Sequence, residues 1–179
     1  IDSSCELFGQ KFAYPFFAGP VGAVNLHYSE KYDDISYNQV LVSACAQNGI
    51  AAFTGDGVNP LVMEGATAAI KESGGMGVPT IKPWNLETIQ EKMQLAIESG
   101  TFAVAMDVDA AGLPFLKNMT PPAGSKNVKE LAEIVNMAGV PFIVKGVMTV
   151  KGALKAKEAG AAAIVVSNHG GRVLDQCPA

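Results

Sequence analysis

The sequence has 179 residues, of which 49% are hydrophobic and 17% are charged, and its formal net charge is −4. This composition indicates a globular chain with a substantial core, and the lack of a basic stripe argues against nucleic acid or an anionic membrane surface as a partner. No apolar run approaches the roughly 20 residues of a membrane-spanning helix, so we expect no membrane partner and a cytoplasmic location. Three widely spaced cysteines indicate neither a disulfide framework nor a zinc site, and we expect no bound metal.

Apolar runs bounded by turn residues predict strands that alternate with helices along the chain. After a short hairpin at 7–12, the predicted strands, some with their exit loops, are 16–18, 50–57, 78–84, 101–109, 140–146 and 163–166. The predicted helices are 34–47, a short one within 60–77, 86–98, one that Ser125 caps, and one from Thr149 to Gly160. Six strands alternating with helices indicate parallel βα units, a pattern that open doubly wound sheets and (β/α)8 barrels share.

The most informative stretch is the sixth predicted strand and the polar corner that follows it. Ala163–Val166 reads as a buried strand, and Ser167-Asn168-His169-Gly170-Gly171-Arg172 follows directly. His169 can take or give a proton near neutral pH, and Arg172 offers a forked cation that suits a carboxylate. In an α/β barrel, the carboxyl end of a buried parallel strand is where the chemistry is kept.

This stretch closely resembles the active-site signature of the FMN-dependent α-hydroxy-acid oxidase and dehydrogenase family, which includes glycolate oxidase, lactate oxidase and mandelate dehydrogenase. The resemblance implies an α/β fold of the (β/α)8 TIM-barrel type, of which the chain covers about the first six βα units as a single partial FMN-binding domain over residues 1–179. The last two βα units of the family, which hold the FMN phosphate, are absent. We therefore expect an incomplete chain that by itself does not hold FMN tightly.

The resemblance also implies the roles of the site residues. His169 is expected to be the catalytic base, Asp109 the carboxylate that orients it, and Arg172 the cation that binds the substrate carboxylate. The expected cofactor-binding residues are Pro20, Val21, Gly22, Thr54, Lys82 and Lys145, of which Lys145 lies at the family position of the cation beside the flavin.

Three departures from the family pattern indicate a changed substrate pocket. Asp107 stands where the fourth strand usually has Thr, and Lys82 and Trp84 stand where the third strand usually has Gln and Tyr. The Arg that often follows the fourth-strand motif is missing. We expect Trp84 to contact the substrate through its indole N–H. Asp107 and Asp109, two apart on one predicted strand, are expected to share a face and to raise each other's pKa.

These features favour an FMN-dependent oxidoreductase that oxidises a small 2-hydroxy acid to a 2-oxo acid, with an electron acceptor that the sequence does not identify. The resemblance also implies a homo-oligomer, with a tetramer typical of the family. Two alternatives stay open. One is a flavin-dependent barrel that catalyses an isomerisation, like the type 2 isopentenyl diphosphate isomerases. The other is a non-catalytic barrel remnant.

Overall fold

The computed structural model describes residues 1–28, 30–114 and 116–178, except for the side chains of Leu26 and Lys117. The chain forms two compact units, one of Ile1–Thr80 with Gln94–Ala103 and the other of Ile81–Met93 with Val104–Ala179. A single domain over residues 1–179 stays a prediction.

The first unit joins a hairpin to a parallel pair of strands with helices beside it. Its elements are β1 (Cys5–Leu7), β2 (Gln10–Phe12), α1 (Val24–His27), α2 (Asp34–Gln47), β3 (Ala52–Thr54) and α3 (Pro60–Glu72), followed by β4 (Gly77–Ile81). Strands β1 and β2 are antiparallel, whereas β3 and β4 are parallel, with Ala52 opposite Gly77. The core between helices and strand contains Val42, Cys45, Ala52, Ala69 and Ile70.

The predicted first barrel strand at 16–18 is wrong as a strand. Only Ala18 forms a bridge, to Ala52 in the parallel sense, through hydrogen bonds in which Ala18 N–H donates to Ala51 O and Phe53 N–H donates to Ala18 O. Phe16 is exposed, so this end of the apolar run does not pack into the core as a barrel strand would. Helix α3 is longer than the short helix predicted within 60–77, because Asn59 caps it and Pro60 occupies its first turn.

The second unit is built around three parallel strands. After α4 (Leu86–Glu98), whose residues up to Met93 belong to this unit, its elements are β5 (Val104–Asp107), α5 (Val128–Ala138), β6 (Phe142–Lys145), α6 (Val150–Glu158) and β7 (Ala163–Val165). Strand β6 pairs with β5 on one side and with β7 on the other. Strands β5 and β6 are buried throughout, which explains their continuous apolar runs.

Two helix starts of this unit test the predicted caps. Asn127, rather than Ser125, caps α5: its side chain accepts from Glu130 N–H, and the Glu130 side chain accepts from Asn127 N–H. This reciprocal capping box satisfies two backbone donors, whereas a lone serine would satisfy one. Thr149 caps α6 as predicted, accepting from Gly152 N–H.

The four-residue strand β5 is shorter than the predicted strand at 101–109. It ends at Asp107, and the chain continues as a 3₁₀ turn over Val108–Gly112 that contains Asp109. Asp107 and Asp109 therefore do not share a strand face in the way that the sequence predicts. No helix within the described ranges is long and apolar enough to cross a membrane.

Candidate active site

The carboxyl ends of two neighbouring strands bring a carboxylate and an ammonium group together. Asp107 ends β5, Lys145 ends β6, and the two residues are paired in the parallel register. Both residues are buried, and the β5 residues that precede Asp107 are fully buried apolar side chains. The carboxyl ends of parallel strands lie along one edge of a sheet, so the charged groups of Asp107 and Lys145 lie side by side at the edge of an apolar core.

The loop after β7 adds an imidazole to this edge. His169, Gly170 and Gly171 all have positive φ angles, of 65°, 64° and 80°. The buried Asn168 supports this uncommon backbone: its Oδ1 accepts from Gly171 N–H, and its Nδ2 donates to Leu174 O. The two glycines adopt positive φ without the steric cost that a Cβ atom adds, and the Asn168 contacts fix the turn that presents the ring.

His169 is paired with Asp109. The Nδ1 atom of the ring lies 3.1 Å from Asp109 Oδ1, and the two side chains are only 13% and 8% exposed. An ionised carboxylate can only accept hydrogen bonds, so this contact favours the tautomer in which Nδ1–H donates and Nε2 is left as an acceptor. The pair therefore presents Nε2 as a proton acceptor, with a carboxylate placed to stabilise the imidazolium.

A second carboxylate lies on the other side of the ring. Asp107 Oδ2 is 4.0 Å from His169 Nε2 and 3.2 Å from Lys82 Nζ. Burial raises the pKa of Asp107, while the nearby Lys82, His169 and Lys145 oppose that rise. Asp109 is not among the causes, so the expectation that the two aspartates raise each other's pKa is wrong for Asp107: loss of water is the dominant influence.

Lys145 is only 8% exposed, and its ammonium group has no direct partner among the described residues. No hydrogen bond or ion pair joins it to a residue in the described ranges, although it lowers the pKa of Asp107 through space. A buried cation is costly unless a negative charge balances it. Lys145 therefore fits a site in which a bound group carries or develops negative charge.

One ring nitrogen and two carboxylate oxygens of Asp107, Asp109 and His169 lie within 4.8 Å of one another. This spacing is that of a possible metal-ligand set. The Lys82 ammonium, at 3.2 Å from Asp107 Oδ2, already supplies a cation to one of the three.

The two predicted substrate-binding residues differ in their exposure. The Arg172 side chain is exposed, and its backbone N–H donates to His169 O. Trp84 is fully buried, and Lys92 Nζ lies 5.7 Å from the centre of its ring system. Their predicted roles stay predictions.

The remaining predicted cofactor contacts lie in the first unit. Pro20, Val21 and Gly22 are half-buried, and Gly55 packs directly on the Val21–Gly22 backbone, because a Cβ at residue 55 would be only 2.6 Å from Gly22 N. Thr54, at the end of β3, is fully buried, and its hydroxyl has no hydrogen-bond partner within the part of the chain that the structure describes.

Asp107 is the site residue that the sequence reasoning noted as a departure but assigned no role. The signal was present, because Lys82 lies near the end of the predicted third strand with its exit loop and Asp107 lies near the end of the predicted fourth. Side chains at the ends of parallel strands converge at one edge, so an unusual cation and an unusual carboxylate there predict an ion pair.

Comparison with known proteins identifies relatives of part of the chain. Residues 115–179, which contain Lys145, His169 and Arg172, match the family model of FMN-dependent dehydrogenases. The chain is similar to L-lactate oxidase of Lactobacillus jensenii, with 54% identity over 50 residues, which cover 28% of this chain and 12% of that enzyme. It is also similar to a peroxisomal (S)-2-hydroxyacid oxidase of Arabidopsis thaliana, with 49% identity over 51 residues, 28% of this chain and 14% of that protein.

The fold has solved counterparts over nearly the whole chain. The crystal structure of a putative lactate oxidase of Pediococcus acidilactici matches 99% of this chain with a TM-score of 0.75 and 22% identity. The chain spans 53% of that structure, or about half its length. The predicted fold class is thereby confirmed: the chain is α/β, and it covers part of a (β/α)8 barrel.

Proposed function

We propose that the protein oxidises a small 2-hydroxy acid to a 2-oxo acid with FMN as its cofactor, because residues 115–179 match the family model of FMN-dependent dehydrogenases. The observation that carries this proposal is the pair of His169 and Asp109, joined at 3.1 Å on the strand-end edge that also carries Lys145. The proposal concerns the whole protein, and the chain spans only about half the length of the matched lactate oxidase structure.

The residues present fit FMN. When bound, FMN supplies the acceptor for the two electrons that leave the substrate. Lys145 is a largely buried residue, and its ammonium group, which has no direct partner among the described residues, is suited to balance negative charge on a flavin ring. The resemblance assigns further flavin contacts to Thr54, Pro20, Val21 and Gly22, which lie in the first unit.

The chemistry of a 2-hydroxy acid assigns the protein's own groups. Oxidation removes a proton from the substrate, and His169 Nε2 is placed to accept it, because Asp109 occupies Nδ1. The Asp109 carboxylate then stabilises the charged ring. Arg172, exposed in the same loop, pairs with the substrate carboxylate, since a guanidinium matches a carboxylate in a forked arrangement. Its side chain then has to reach the substrate from the loop that carries His169.

An absorbance experiment tests the proposal. The purified protein is examined for a flavin spectrum and then mixed anaerobically with 2-hydroxy acids such as glycolate, lactate and mandelate. Bleaching of the flavin by one of these acids is the expected result. A bound flavin that stays oxidised with every acid would favour an isomerase-like barrel, and a protein without flavin would favour a non-catalytic barrel.

We also propose that the protein forms a homo-oligomer and that it is located in the cytoplasm. The identity of the hydroxy acid depends on the changed pocket residues Lys82, Trp84 and Asp107.

A further inference from the structure

One carboxylate oxygen of the site faces two nitrogen groups at once. Asp107 Oδ2 lies 3.2 Å from Lys82 Nζ and 4.0 Å from His169 Nε2. The Asp107 side chain is only 7% exposed, and its other oxygen, Oδ1, is buried without a hydrogen-bond partner. Little water can therefore compete for Oδ2, and its partner is decided between the lysine and the histidine.

The distances show which of the two groups holds the oxygen. At 3.2 Å the ammonium group donates a hydrogen bond, whereas 4.0 Å is too long for one. Nδ1–H of His169 already donates to Asp109. If Nε2 also donated, to Asp107, the ring would carry protons on both nitrogens and could accept none from a substrate.

The charged groups around the ring explain why a hydrogen bond between His169 Nε2 and Asp107 is a real alternative to the Lys82–Asp107 contact. Asp109 faces Nδ1 from the 3₁₀ turn after β5, and Asp107 faces Nε2 from the end of β5. Lys82 and Lys145 offset the two carboxylates, and both act on Asp107. Without Lys82, His169 Nε2 is the nitrogen among the described residues that still lies within 4.0 Å of Asp107 Oδ2. A hydrogen bond between the two atoms would occupy the nitrogen that has to accept the substrate proton.

We propose that Lys82 is a positioning residue that holds Asp107 Oδ2 and thereby keeps His169 Nε2 available to accept a proton. The inference rests on the proposed role of His169 as the proton acceptor. The inference has a specific consequence. Asp107 leaves His169 Nε2 available while Lys82 is present, and it occupies Nε2 when Lys82 is removed. Removing both residues restores the base.

The test compares Lys82→Met, the double variant Lys82→Met with Asp107→Asn, and Lys82→Arg, which keeps the cation. Lys151→Met, a change at an exposed lysine of α6, is the matched control. The first readout is the ¹⁵N chemical shift of His169 Nε2 in the purified protein at neutral pH, which distinguishes a protonated from an unprotonated ring nitrogen. The second readout is the rate of flavin reduction by the 2-hydroxy acid that the wild type oxidises.

In Lys82→Met we expect the Nε2 signal to move toward its protonated position and flavin reduction to slow by up to roughly 10²–10⁴-fold, the range for loss of a positioned base. The double variant should return the Nε2 signal to its wild-type position and regain much of the rate. Lys151→Met should resemble the wild type in both readouts, and Lys82→Arg, which keeps the cation, should keep the wild-type Nε2 signal. If Lys82→Met does not fold, Lys82→Gln replaces it with the same expected direction.

An unchanged Nε2 signal in Lys82→Met would overturn the inference, and so would a double variant that keeps the protonated signal. The NMR readout needs no substrate turnover, so the two proposals fail separately. If no hydroxy acid reduces the flavin but the Nε2 signals follow the expected order, the proposed oxidation is wrong and the role of Lys82 in controlling the ring stands.

Discussion

Gly146 lies so close to Asp109 that a Cβ atom at residue 146 would be 2.6 Å from Asp109 Cβ. Gly146 follows the last residue of β6 and has a φ angle of 96°, which side-chain-bearing residues rarely adopt. The residue after Lys145 thus leaves the space that the carboxylate partner of His169 occupies. The position of Asp109 therefore depends on the absence of a side chain at residue 146 as well as on its hydrogen bond to the His169 ring.

Gly146→Ala should therefore displace Asp109 and slow flavin reduction by 2-hydroxy acids, with an added cost of about 1–3 kcal/mol in the free energy of unfolding for the strained backbone. The matched control is Gly139→Ala, because Gly139 also has a positive φ, of 64°, but open space around its Cβ position. The control should lose stability without losing reduction rate. Equal reduction rates in the two variants would contradict the packing argument.

His169→Ala should abolish flavin reduction while leaving the flavin bound. The base acts on the substrate, whereas the proposed flavin contacts come from other residues, including Lys145 and Thr54. We expect the rate of reduction to fall roughly 10²–10⁴-fold. Stopped-flow absorbance measures the rate, and the flavin-to-protein ratio after gel filtration measures retention. Reduction at a near-normal rate would remove His169 from the mechanism.

Asp107 should make stability depend on pH. Burial raises its pKa in the folded protein above the ordinary value of 3.8, so the native state keeps this proton at pH values where the unfolded chain has lost it. Its contribution to the free energy of unfolding is therefore full below pH 3.8 and is lost as the pH rises through the folded-state pKa.

Urea unfolding of the wild type and Asp107→Asn across pH 4–8 measures this contribution. The stability of the wild type relative to the variant should decline as the pH rises through that window. A difference that stays constant, or that grows with pH, would show that Asp107 has an ordinary or lowered pKa in the folded protein.

The capping box of α5 predicts a simple stability effect. Asn127→Ala removes the acceptor for Glu130 N–H and should lower the free energy of unfolding by about 1 kcal/mol. Lys129→Ala, at an exposed position of the same helix, is the control and should change stability by much less. Urea denaturation of both variants is sufficient. A cost in Asn127→Ala no larger than in the control would show that another group satisfies the helix start.

The pattern of apolar residues predicts those parts of the fold in which the apolar residues are buried and the backbone pairs with a neighbouring strand or within a helix. Strands β5 and β6 and the Thr149 cap follow from apolar runs and a capping residue. Phe16–Ala18 looks equally strand-like, but Phe16 is exposed and only Ala18 makes bridge hydrogen bonds. Residue type alone does not say whether a neighbouring strand is in place to pair.

The candidate site was partly predictable because a family resemblance supplies residues that are far apart in the chain. The contact of His169 with Asp109 joins residues 60 positions apart, which no local pattern gives. The Lys82–Asp107 pair was missed because each residue was considered as a separate departure from the family. Burial is the largest influence on the pKa of Asp107, and the sequence alone does not predict how deeply this carboxyl group is buried.

The most direct test of the central claim uses matched acids that differ only in the 2-hydroxyl group. The purified flavin-loaded protein is mixed anaerobically with lactate or propionate, glycolate or acetate, and mandelate or phenylacetate, and the flavin absorbance is followed in a stopped-flow instrument. The account predicts that at least one hydroxy acid bleaches the flavin, that its partner without the hydroxyl does not, and that His169→Ala prevents the bleaching. A flavin that stays oxidised with every hydroxy acid, or that bleaches equally well in His169→Ala, would contradict it.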